Sequence, residues 1–571
     1  MRRLRVATCQ INTVVGDIDG NVARVMDVLE ELETQNVDIA VFPELTVCGY
    51  PPEDLVLKPG FVEDCMEAVQ RLASRTKQTA VVFGSVEGDR DIFNTAYLAV
   101  DGEVKLTHHK RLLPNYSVFD ERRYFTPGTA QLELAEVKGV KVGLAICEDI
   151  WSATGPMLEL GRGGAEVVLV PNASPFRKGK ALGRDVMMSS RSVDNSCAIV
   201  YVNQVGGQDE LVFDGGSVIF DHEGQLLARS PQFREDIAVT DLDIKPAYRK
   251  RRLDPRGQEL PTPQLPVTVL SGPVKVDEPP IQGTIADLTE PLQEVWEALV
   301  LGTRDYVRKN GFSTVGIALS GGIDSTAVVT LAVDAVGAEN VNAVLMPSRF
   351  SSDHSVTDSE TLCQNLGVSY RTIAIEPGHQ AFLDMLAPSF EGLDEDTTEE
   401  NLQSRIRGVM MMGLSNKLGW LILTTGNKSE GSVGYSTLYG DTAGGFAVIK
   451  DVYKTLLYDL CRWRNEMAGK EVIPVSVIEK APSAELRPDQ RDDQSLPPYD
   501  MLDSILEGYV ENDLTATELI ARGHDEAIVR RIVRLVDIAE YKRRQSPLGI
   551  RISSKAFGRD RRVPITNRYR G

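Results

Sequence analysis

A chain of 571 residues is too long to fold around a single hydrophobic core, so its length predicts at least two domains. The composition, with 42% hydrophobic and 25% charged residues, is typical of an ordinary globular protein, and no apolar run is long enough to span a bilayer. A formal net charge of -20 argues against a nucleic acid or an anionic membrane surface as a partner.

The cysteine pattern indicates a reducing compartment. Seven cysteines are scattered along the chain without a CxxC pair: Cys9, Cys48, Cys65, Cys147, Cys197, Cys363 and Cys461. We interpret them as reduced thiols. Residues 1–8 lack the apolar core of a signal peptide, so we expect a cytoplasmic protein.

Short apolar strands alternate with amphipathic helices through the first half of the chain. The predicted strands cover residues 4–9, 39–42, 80–84, 142–147, 167–170 and 198–203. An alternation of this kind predicts an α/β fold.

Three polar or reactive side chains follow predicted strands of this half. Glu44 comes after Phe42 and Pro43, Lys110 follows two histidines, and Cys147 ends an apolar run. Strand ends in α/β folds gather reactive side chains because the scaffold fixes them while the loops leave them open. A cysteine attacks as its thiolate, so it needs a base, which Glu44 can supply, and a cation, which Lys110 can supply. Lys110 can also stabilise the oxyanion of a tetrahedral intermediate.

The segments around these residues resemble those of the nitrilase superfamily. The resemblance is carried by Phe42-Pro43-Glu44-Leu45, by His109-Lys110-Arg111-Leu112-Leu113-Pro114-Asn115-Tyr116 and by Ile146-Cys147-Glu148-Asp149-Ile150-Trp151. It covers about residues 4–243 and implies an αββα sandwich that hydrolyses carbon–nitrogen bonds, with Glu44, Lys110 and Cys147 as the catalytic residues.

Amidases of this type that accompany a synthetase are usually glutaminases, so the resemblance implies glutamine as the substrate. Tyr116, Ser174 and Lys180 occupy positions that, by resemblance, line the glutamine pocket. Glu121 matches an additional glutamate of the family, which we place in the same pocket and expect to orient Lys110. Ordinary hydrogen bonding within loops is the alternative for Tyr116 and Ser174.

A proline-rich stretch divides the chain near its middle. The sequence between residues 241 and 291 shows little periodicity. It contains the prolines Pro246, Pro255, Pro261, Pro263, Pro266, Pro273, Pro279 and Pro280. Such a composition predicts a linker, or a strap lying over the surface. We therefore predict domains over residues 1–245 and 291–571, joined by a linker over residues 246–290.

The second half resumes the α/β alternation, with strands predicted over residues 314–319, 341–346, 370–375 and 421–424. The first of these runs into the turn Ser320-Gly321-Gly322 and a helix predicted over residues 325–333. Two glycines allow positive φ and let N–H groups approach an anion, while the helix directs its own free N–H groups at the same point. The turn therefore predicts a pyrophosphate cradle. It is not a Walker A loop, because Asp324 and Ser325 stand where that loop needs a lysine.

The pattern Ser-Gly-Gly-x-Asp-Ser resembles the loop of the ATP pyrophosphatases, which cleave ATP between the α and β phosphates to adenylate a substrate. The resemblance implies a doubly wound parallel sheet. It also implies an ATP site formed by Ala318, Leu319, Ser320, Gly321, Gly322, Ile323, Asp324 and Ser325. Because Mg²⁺ takes hard oxygen ligands and bridges phosphates, we predict Asp324 and Glu430 as its carboxylate ligands.

The segments over residues 424–430 and 434–441 follow a predicted strand and, with the phosphate loop, resemble the NAD synthetases; so do residues 485–488, 495–499 and 556–562. The resemblance implies that ATP adenylates the nicotinate carboxylate of deamido-NAD and that ammonia then displaces AMP to give NAD. By position it implies that Thr425 contacts ATP, and that Asn401, Glu430 and either Arg551 or Lys555 contact deamido-NAD. The family often has Lys where Arg551 stands, so both cations are candidates.

Two charged runs interrupt this pattern. The acidic run over residues 391–396, with residues 397–400 after it, predicts a mobile loop. Near the C-terminus the chain is basic, with Lys542, Arg543, Arg544, Arg551, Lys555, Arg559, Arg561, Arg562 and Arg568. From charge alone, a solvated tail and a segment that folds back onto the phosphates of a small polyanion are both open.

The two halves together imply an enzyme that makes NAD with ammonia taken from glutamine, so that glutamine, ATP and deamido-NAD are its small-molecule substrates. We expect Mg²⁺ with ATP, no tightly bound organic cofactor, no nucleic acid or membrane partner, and a homo-oligomer. An asparagine or GMP synthetase with the same phosphate loop would call for a different glutaminase domain, which the nitrilase-like residues argue against. The other alternative is an ammonia-dependent NAD synthetase whose N-terminal half is an inactive scaffold.

Overall fold

The computed structural model describes residues 2–244, 253, 262–274, 279–488 and 490–569. These residues form two compact units. Unit 1 contains the described residues up to 289 apart from 209–211, and unit 2 contains residues 209–211 with the described residues from 290 onward. Among the described residues, no helix combines the length and the apolar character needed to cross a membrane.

Fifteen strands and five helices precede residue 290 in the described part of the chain. The strands are β1 (Arg2–Gln10), β2 (Ile39–Val41), β3 (Ala80–Gly88), β4 (Ile92–Val100), β5 (Glu103–His109), β6 (Leu134–Val137), β7 (Val140–Leu144), β8 (Val167–Asn172), β9 (Ala198–Asn203), β10 (Val205–Gln208), β11 (Leu211–Asp214), β12 (Val218–Phe220), β13 (Leu226–Arg229), β14 (Asp236–Ile244) and β15 (Val267–Val269). The helices are α1 (Ile18–Glu33), α2 (Pro59–Ala73), α3 (Glu148–Trp151), α4 (Pro156–Gly163) and α5 (Lys180–Asn195).

Two sheets pack face to face in unit 1. One has the strand order β14-β1-β2-β3-β4-β5 and the other the order β13-β12-β9-β8-β7-β6-β15. Their facing side chains form one buried cluster that includes Val6, Val41, Val142 and Leu169. Helices α1 and α2 cover the outer face of the first sheet, while α4 and α5 cover that of the second. The predicted αββα sandwich is thus confirmed.

The elements of unit 2 are five strands and twelve helices in the described part of the chain. The strands are β16 (Val315–Ala318), β17 (Val341–Leu345), β18 (Ser369–Thr372), β19 (Leu421–Thr424) and β20 (Phe446–Ala447). The helices are α6 (Pro291–Lys309), α7 (Ile323–Val336), α8 (Asp353–Leu366), α9 (Glu376–Leu386), α10 (Thr397–Leu418), α11 (Lys428–Val433), α12 (Lys454–Ala468), α13 (Val475–Glu479), α14 (Tyr499–Leu506), α15 (Ala516–Ala521), α16 (Glu526–Ile538) and α17 (Glu540–Arg543).

The five strands of unit 2 form one parallel sheet in the order β18-β17-β16-β19-β20. The chain order reverses between β16 and β19, so the crevice beyond their carboxyl ends is a topological switch point, where open α/β sheets bind ligands. The phosphate loop leaves β16 and Thr425 leaves β19. The doubly wound parallel sheet is confirmed, and its topology brings these two segments together.

The region predicted as a linker is, where described, attached to unit 1. Strand β15 pairs in parallel with β6 at the edge of the second sheet. Farther along, the backbone N–H of Ile281 donates to Asp241, and that of Ala286 donates to the carbonyl of Arg229. Several of its prolines, Pro246, Pro255 and Pro261, lie outside the described residues. The described part is therefore a strap over unit 1 rather than a free connection.

A helix begins within the segment that was predicted to be a mobile loop. Residues 397–400 form the first turn of α10, whose N-cap is Asp396. The Asp396 side chain accepts from the N–H of Thr398, and Glu399 accepts from the N–H of Asp396 at 2.9 Å. This capping box satisfies N–H groups that a helix start leaves without partners. The prediction of a loop over residues 397–400 was wrong because the composition outweighed a local capping signal.

Candidate active sites

Three segments of unit 1 bring Glu44, Lys110 and Cys147 to one buried site. Glu44 lies three residues beyond β2, Lys110 directly follows β5, and Cys147 lies three residues beyond β7. The Lys110 Nζ is 2.7 Å from Glu44 Oε1 and 2.7 Å from Glu121 Oε1. The charges of Glu44 and Lys110 both act on the Cys147 thiol, which is itself buried. The predicted catalytic residues therefore meet, with Glu121 beside Lys110 as expected.

Additional donors hold the two carboxylates in place. Asn94 Nδ2 donates to Glu44 Oε1 at 2.7 Å, and the N–H of Ala173 donates to Glu44 Oε2 at 3.1 Å. Tyr50 donates from its hydroxyl to Glu121 Oε1 at 2.8 Å. Asn94 and Tyr50 carry no local sequence signal, since each lies in an ordinary strand or loop, and sequence reasoning missed both.

The electrostatics of the site favour a neutral thiol at rest. Burial raises the pKa of Cys147 well above its usual value, Glu44 raises it further, and Lys110 opposes the shift. Burial acts to lower the pKa of Lys110, but the charges of Glu121 and Glu44 outweigh it and the net shift is upward. Lys110 is therefore a stable cation whose charge is largely balanced. Lys110 acts in the expected direction, since its charge lowers the pKa of Cys147, but burial and Glu44 outweigh it.

Cys147 occupies a strained backbone conformation. Its φ of 40° and ψ of -99° lie outside the regions that non-glycine residues populate, a cost of roughly 1–3 kcal/mol. The strand predicted to run to Cys147 ends at Leu144, and the cysteine caps the short helix α3 instead. Its N–H donates to the carbonyl of Pro171 at 3.1 Å. The turn thus projects the thiol from a fixed point between a strand and a helix.

The residues predicted to bind glutamine lie around this turn. Tyr116 is more than half exposed, and its hydroxyl donates to Glu148 Oε2 at 3.0 Å. Lys180, the first residue of α5, donates to Ser174 Oγ at 2.7 Å. Charges on Cys147 and Lys110 reach Tyr116, and the charge on Lys180 reaches Glu148, which places these groups near the thiol. Glu148 was missed, although it directly follows the nucleophile in the sequence.

The strand, turn and helix predicted for the phosphate loop are present in unit 2, although the helix begins at Ile323 rather than at Ser325. Gly321 has a φ of +77°, and a Cβ built on it would lie 2.3 Å from the carbonyl oxygen of Ser355. Gly322 has a φ of -86°, and the nearest atom to a Cβ would be Ser320 Oγ at 3.5 Å. Of the two glycines that allow positive φ, only Gly321 adopts it and is required for its conformation.

A cavity of about 510 Å³ opens above this loop. Predicted residues that line it are Ala318, Ser320, Gly321, Gly322, Ile323, Asp324, Ser325, Asn401, Thr425 and Glu430. Leu319 lines a smaller space of about 110 Å³ beside it. The structure does not bring Arg551 and Lys555 to these walls, because Arg551 pairs with Asp560 at 2.6 Å and Lys555 pairs with Asp513.

Lys454 lies between the two carboxylates predicted to bind Mg²⁺. Its Nζ is 2.5 Å from Asp324 Oδ2 and 3.0 Å from Glu430 Oε1. Burial alone would lower the pKa of Lys454, but Asp324 and Glu430 raise it. Burial raises the pKa of Glu430 in spite of Lys454. Sequence reasoning missed Lys454, which begins α12 without any motif of its own.

The donor set around Asp324 and Glu430 fits a magnesium ion that also contacts phosphate. Among the residues that the structure describes, no three acidic, histidine or cysteine side chains form a closed metal cage. Mg²⁺ usually takes one or two protein carboxylates and completes its shell with water and substrate phosphates. Asp324 and Glu430 converge on one cation and line the cavity that holds the phosphate loop.

The basic C-terminal run is neither a fully solvated tail nor a segment whose cations all face the phosphate-loop cavity. Arg543 is buried against Glu540 at 2.8 Å, and Arg551 is paired with Asp560, so much of the run is neutralised within unit 2. Lys542 lines the large cavity, where its Nζ donates to the carbonyl of Gly434 at 2.7 Å. The run therefore anchors the C-terminal segment and contributes one ammonium to the cavity wall.

Comparisons with known proteins match both halves of the chain. A family model described as carbon-nitrogen hydrolase matches residues 5–252, and one described as NAD synthase matches residues 295–546. The glutamine-dependent NAD(+) synthetase of Thermotoga maritima is 45% identical over 574 residues, covering 100% of each chain. That of Acinetobacter baylyi is 44% identical, covering 100% of this chain and 99% of the relative. The solved structure of the Acinetobacter baumannii glutamine-dependent NAD+ synthetase with ADP is 41% identical, with a TM-score of 0.75 and 99% coverage of each chain.

Proposed function

The chain belongs to the glutamine-dependent NAD(+) synthetases, and from this membership we propose how its two sites divide the reaction. Unit 1 hydrolyses glutamine to glutamate and ammonia. Unit 2 uses ATP to adenylate deamido-NAD, and ammonia converts the adenylate to NAD with release of AMP. The family membership favours this function over an ammonia-dependent enzyme with an inactive N-terminal scaffold.

In unit 1 we assign Cys147 as the nucleophile and Glu44 as the general base. Cys147 Sγ attacks the carboxamide carbon while its proton passes to Glu44, because burial keeps the resting thiol protonated. Lys110 and a backbone N–H stabilise the oxyanion. Glu44 then returns the proton to the leaving nitrogen, so ammonia departs and a thioester remains.

Water completes the cycle at the same residues. Glu44 takes a proton from the water as its oxygen attacks the thioester carbon, and the Cys147 sulfur leaves with that proton to give glutamate and free thiol. Glu121 holds Lys110 through the 2.7 Å contact between them. Glu121 Oε2 is buried without a hydrogen-bond partner among the described residues, so it is free to accept from the substrate amide.

We propose that Tyr116, Ser174 and Lys180 bind the α-amino acid end of glutamine. Lys180 supplies a cation for the α-carboxylate, and Ser174, 2.7 Å from it, supplies a hydroxyl. Glu148, which accepts from Tyr116, supplies a carboxylate for the α-ammonium group. Opposite charges thus stand where a zwitterionic headgroup requires them.

In unit 2 we propose that the loop from Ala318 to Ser325 and Thr425 bind ATP at the switch point. A carboxylate is a poor acyl donor, and its conversion to a mixed anhydride with AMP makes it reactive toward ammonia. Mg²⁺, when bound, would neutralise phosphate charge and assist departure of pyrophosphate. Asp324 and Glu430 would hold that ion, and Lys454 would then be released to the phosphates.

We place deamido-NAD in the remainder of the cavity, against Asn401 and Glu430. Asn401 accepts a hydrogen bond from the Thr437 hydroxyl at 2.7 Å, which leaves its amide N–H groups for the ligand. Contacts of Arg551 or Lys555 with deamido-NAD rest on family resemblance alone, since both pair with carboxylates away from this cavity.

We also propose a cytoplasmic homo-oligomer. All seven cysteines are free and buried, as in a reducing compartment. Helices α9 and α10 expose large apolar side chains, among them Met385 and Val409, and exposed apolar side chains of this kind are common at interfaces. Light scattering of the purified chain tests the second proposal, which a monomer at micromolar concentration would exclude.

The observation that carries the function is the contact of Lys110 with Glu44 and Glu121 beside Cys147. Cys147→Ala is expected to lower glutamine-dependent NAD formation by at least about 10³-fold while leaving ammonium-dependent formation unchanged. Cys197→Ala, another buried cysteine of unit 1, is the matched control and should leave both rates near wild type. If Cys147→Ala changes neither rate, the proposed glutaminase is wrong.

A further inference from the structure

Asp149 is a buried carboxylate that joins the two segments of the glutaminase site. Its Oδ1 accepts from the backbone N–H groups of Arg111 at 3.1 Å and Leu112 at 2.9 Å. Its Oδ2 accepts from the N–H of Ile146 at 3.1 Å and from His108 Nε2 at 2.8 Å. Because a carboxylate only accepts, His108 Nε2 carries the proton in this pair. One side chain thus binds residues on both sides of Lys110 and the residue before Cys147.

The turn at Cys147 needs such an anchor. A non-glycine residue with a φ of 40° and a ψ of -99° is retained only where its surroundings fix it. Asp149 bonds Ile146 twice, since its own N–H also donates to the Ile146 carbonyl at 2.9 Å. Loss of the carboxylate would remove one of these two bonds. The N–H groups of Arg111 and Leu112 would then lose their acceptor, so they would either stay buried without a partner or force the backbone to reorient.

Lys110 depends on the same carboxylate through its backbone. Its ammonium is fixed by Glu44 and Glu121, and its N–H donates to the carbonyl of Asn94 at 2.8 Å. Three donors to Asp149 flank Lys110 in the sequence. His108 lies two residues before it, and Arg111 and Leu112 lie one and two residues after it. Asp149 therefore fixes the path of the chain through Lys110 relative to the turn that carries Cys147.

We propose that Asp149 is a positioning residue that sets the distance between Lys110 and Cys147, a role that rests on the proposed glutaminase function. Asp149 is completely buried and its two oxygens accept four hydrogen bonds, so it is not available to substrate or to the transferred proton. It acts through the geometry of the groups that perform the chemistry.

The test compares Asp149→Asn with a matched buried aspartate of the same unit. Asn replaces one accepting oxygen by a donating NH₂ group among four donors, at nearly constant volume. Because small misplacement of reacting groups costs about 10²-fold, kcat for glutamine hydrolysis should fall by about that factor, with KM within about threefold. Ammonium-dependent NAD formation should not change. Alkylation of Cys147 by iodoacetamide, followed by peptide mass spectrometry, should slow by about tenfold or more.

Asp241→Asn is the control for a purely structural effect. Asp241 accepts from Arg5 Nε at 2.9 Å and from the N–H of Ile281 at 2.9 Å, remote in the sheet from these loops. Its substitution should lower thermal stability while leaving kcat and Cys147 alkylation near wild type. If Asp149→Asn keeps kcat within about twofold of wild type, or if Asp241→Asn lowers kcat equally, the positioning role is overturned.

Two milder variants decide the matter if Asp149→Asn fails to fold. Asp149→Glu keeps the charge and displaces it by one methylene, and His108→Phe removes one of the four hydrogen-bond donors to Asp149. Both should lower kcat more than they change KM, and full kcat in folded samples of both would overturn the proposal. If wild type hydrolyses no glutamine, the proposed function fails, whereas Cys147 alkylation rates in the same variants still test the role of Asp149.

Discussion

Each unit of the chain holds a lysine between two carboxylates, and the two arrangements differ in their exposure. In unit 1, the side chain of Lys110 is 0% exposed, and those of Glu44 and Glu121 are 1% and 5% exposed. In unit 2, Lys454 is 2% exposed, but its partners Asp324 and Glu430 are 19% and 18% exposed and line the cavity. The same three charges are sealed from bulk water in one unit and lie open at a cavity wall in the other.

The difference in exposure suits different chemistry. The buried groups of unit 1 hold one another in place, so Glu44 serves as a base of fixed geometry. Carboxylates at a cavity wall can exchange one cation for another, so Lys454 can yield its place to a divalent ion that arrives with a nucleotide. A lysine between two carboxylates therefore does not by itself indicate a role, because burial and access to ligand decide it.

The largest effect is expected from Lys110→Met. Removal of the ammonium leaves two buried carboxylates without a cation, which should destabilise unit 1 by about 3–5 kcal/mol. The oxyanion also loses its charged donor, so glutamine hydrolysis should fall by at least about 10³-fold. Calorimetric unfolding and a glutaminase assay measure the two effects.

The pH dependence of this variant has a defined sign. Burial already raises the pKa of Glu121, and loss of Lys110 raises it further. A group whose folded-state pKa is raised contributes stability at low pH that is lost as pH rises, so the deficit of Lys110→Met should shrink toward acidic pH. Lys105→Met, which removes an exposed ion pair from β5, is the control. A deficit that stays constant with pH would mean that Lys110 does not act on the pKa of Glu121.

A smaller effect on stability is expected from Lys454→Met, because the remaining carboxylates reach the cavity and can be hydrated. Its effect on activity should fall on unit 2. NAD formation should drop by about 10²-fold or more with either glutamine or ammonium, since the phosphates lose a cation, while glutamine hydrolysis continues. Product analysis by chromatography separates the two activities.

Two outcomes bear on the contrast between the units. If Lys454→Met destabilises the chain as strongly as Lys110→Met, exposure does not distinguish the two arrangements. Lys450→Met is the control, because Lys450 lies four residues before Lys454, at which α12 begins. Lys450 donates to a backbone carbonyl and is not among the residues that line the large cavity. It should leave glutamine hydrolysis unchanged and lower NAD formation much less than Lys454→Met does.

Local signals in the sequence predicted the parts of the sites that are continuous in the chain. The phosphate loop was predictable because an apolar strand, a glycine turn and a helix start follow one another over about a dozen residues. The meeting of Glu44, Lys110 and Cys147 depends on the packing of separate strands. Their positions after predicted strands suggested it, and family resemblance made it specific. Lys454 and Asn94 remained unnoticed because their roles arise from contacts distant in sequence.

Other differences arise from competition between signals at close range. The strand before Cys147 was predicted three residues too long, because the apolar run continues past Leu144 into the strained turn. Asp396 has Glu399 three residues later, which is a capping signal, yet the acidic composition around it suggested a loop. The roles proposed for individual site residues remain predictions that the substitutions described here would test.

A moderate effect on ATP binding is expected from Gly321→Ala, which tests the phosphate loop beside the open arrangement of Lys454, Asp324 and Glu430. A Cβ at this position would lie 2.3 Å from the Ser355 carbonyl at a φ of +77°, so strain of about 1–3 kcal/mol should displace the loop. The KM for ATP should rise about tenfold or more, with glutamine hydrolysis unaffected.

Gly322→Ala is the matched control for Gly321→Ala. Its φ of -86° suits any residue, and a Cβ would meet only Ser320 Oγ at 3.5 Å. The backbone strain should therefore be absent, and the KM for ATP should remain close to wild type. Equal effects of the two substitutions would show that loss of flexibility, rather than the conformation of Gly321, controls the loop.

The smallest effect is expected in the pH dependence of magnesium binding, and it discriminates most finely between the sealed and the open arrangement. Burial raises the pKa of Glu430, so in the free protein protons compete with Mg²⁺ for this carboxylate. Calorimetric affinity for Mg²⁺ should rise with pH, by at most about tenfold per pH unit if one proton is displaced. Glu430→Gln, which removes the carboxylate that takes up this proton, should bind Mg²⁺ more weakly with a flat pH profile.

No such binding is expected at Glu121, whose pKa is also raised by burial, because Lys110 is sealed beside it and cannot yield its place. If the slope persists in Glu430→Gln but disappears in Glu121→Gln, the assignment of the two arrangements is reversed.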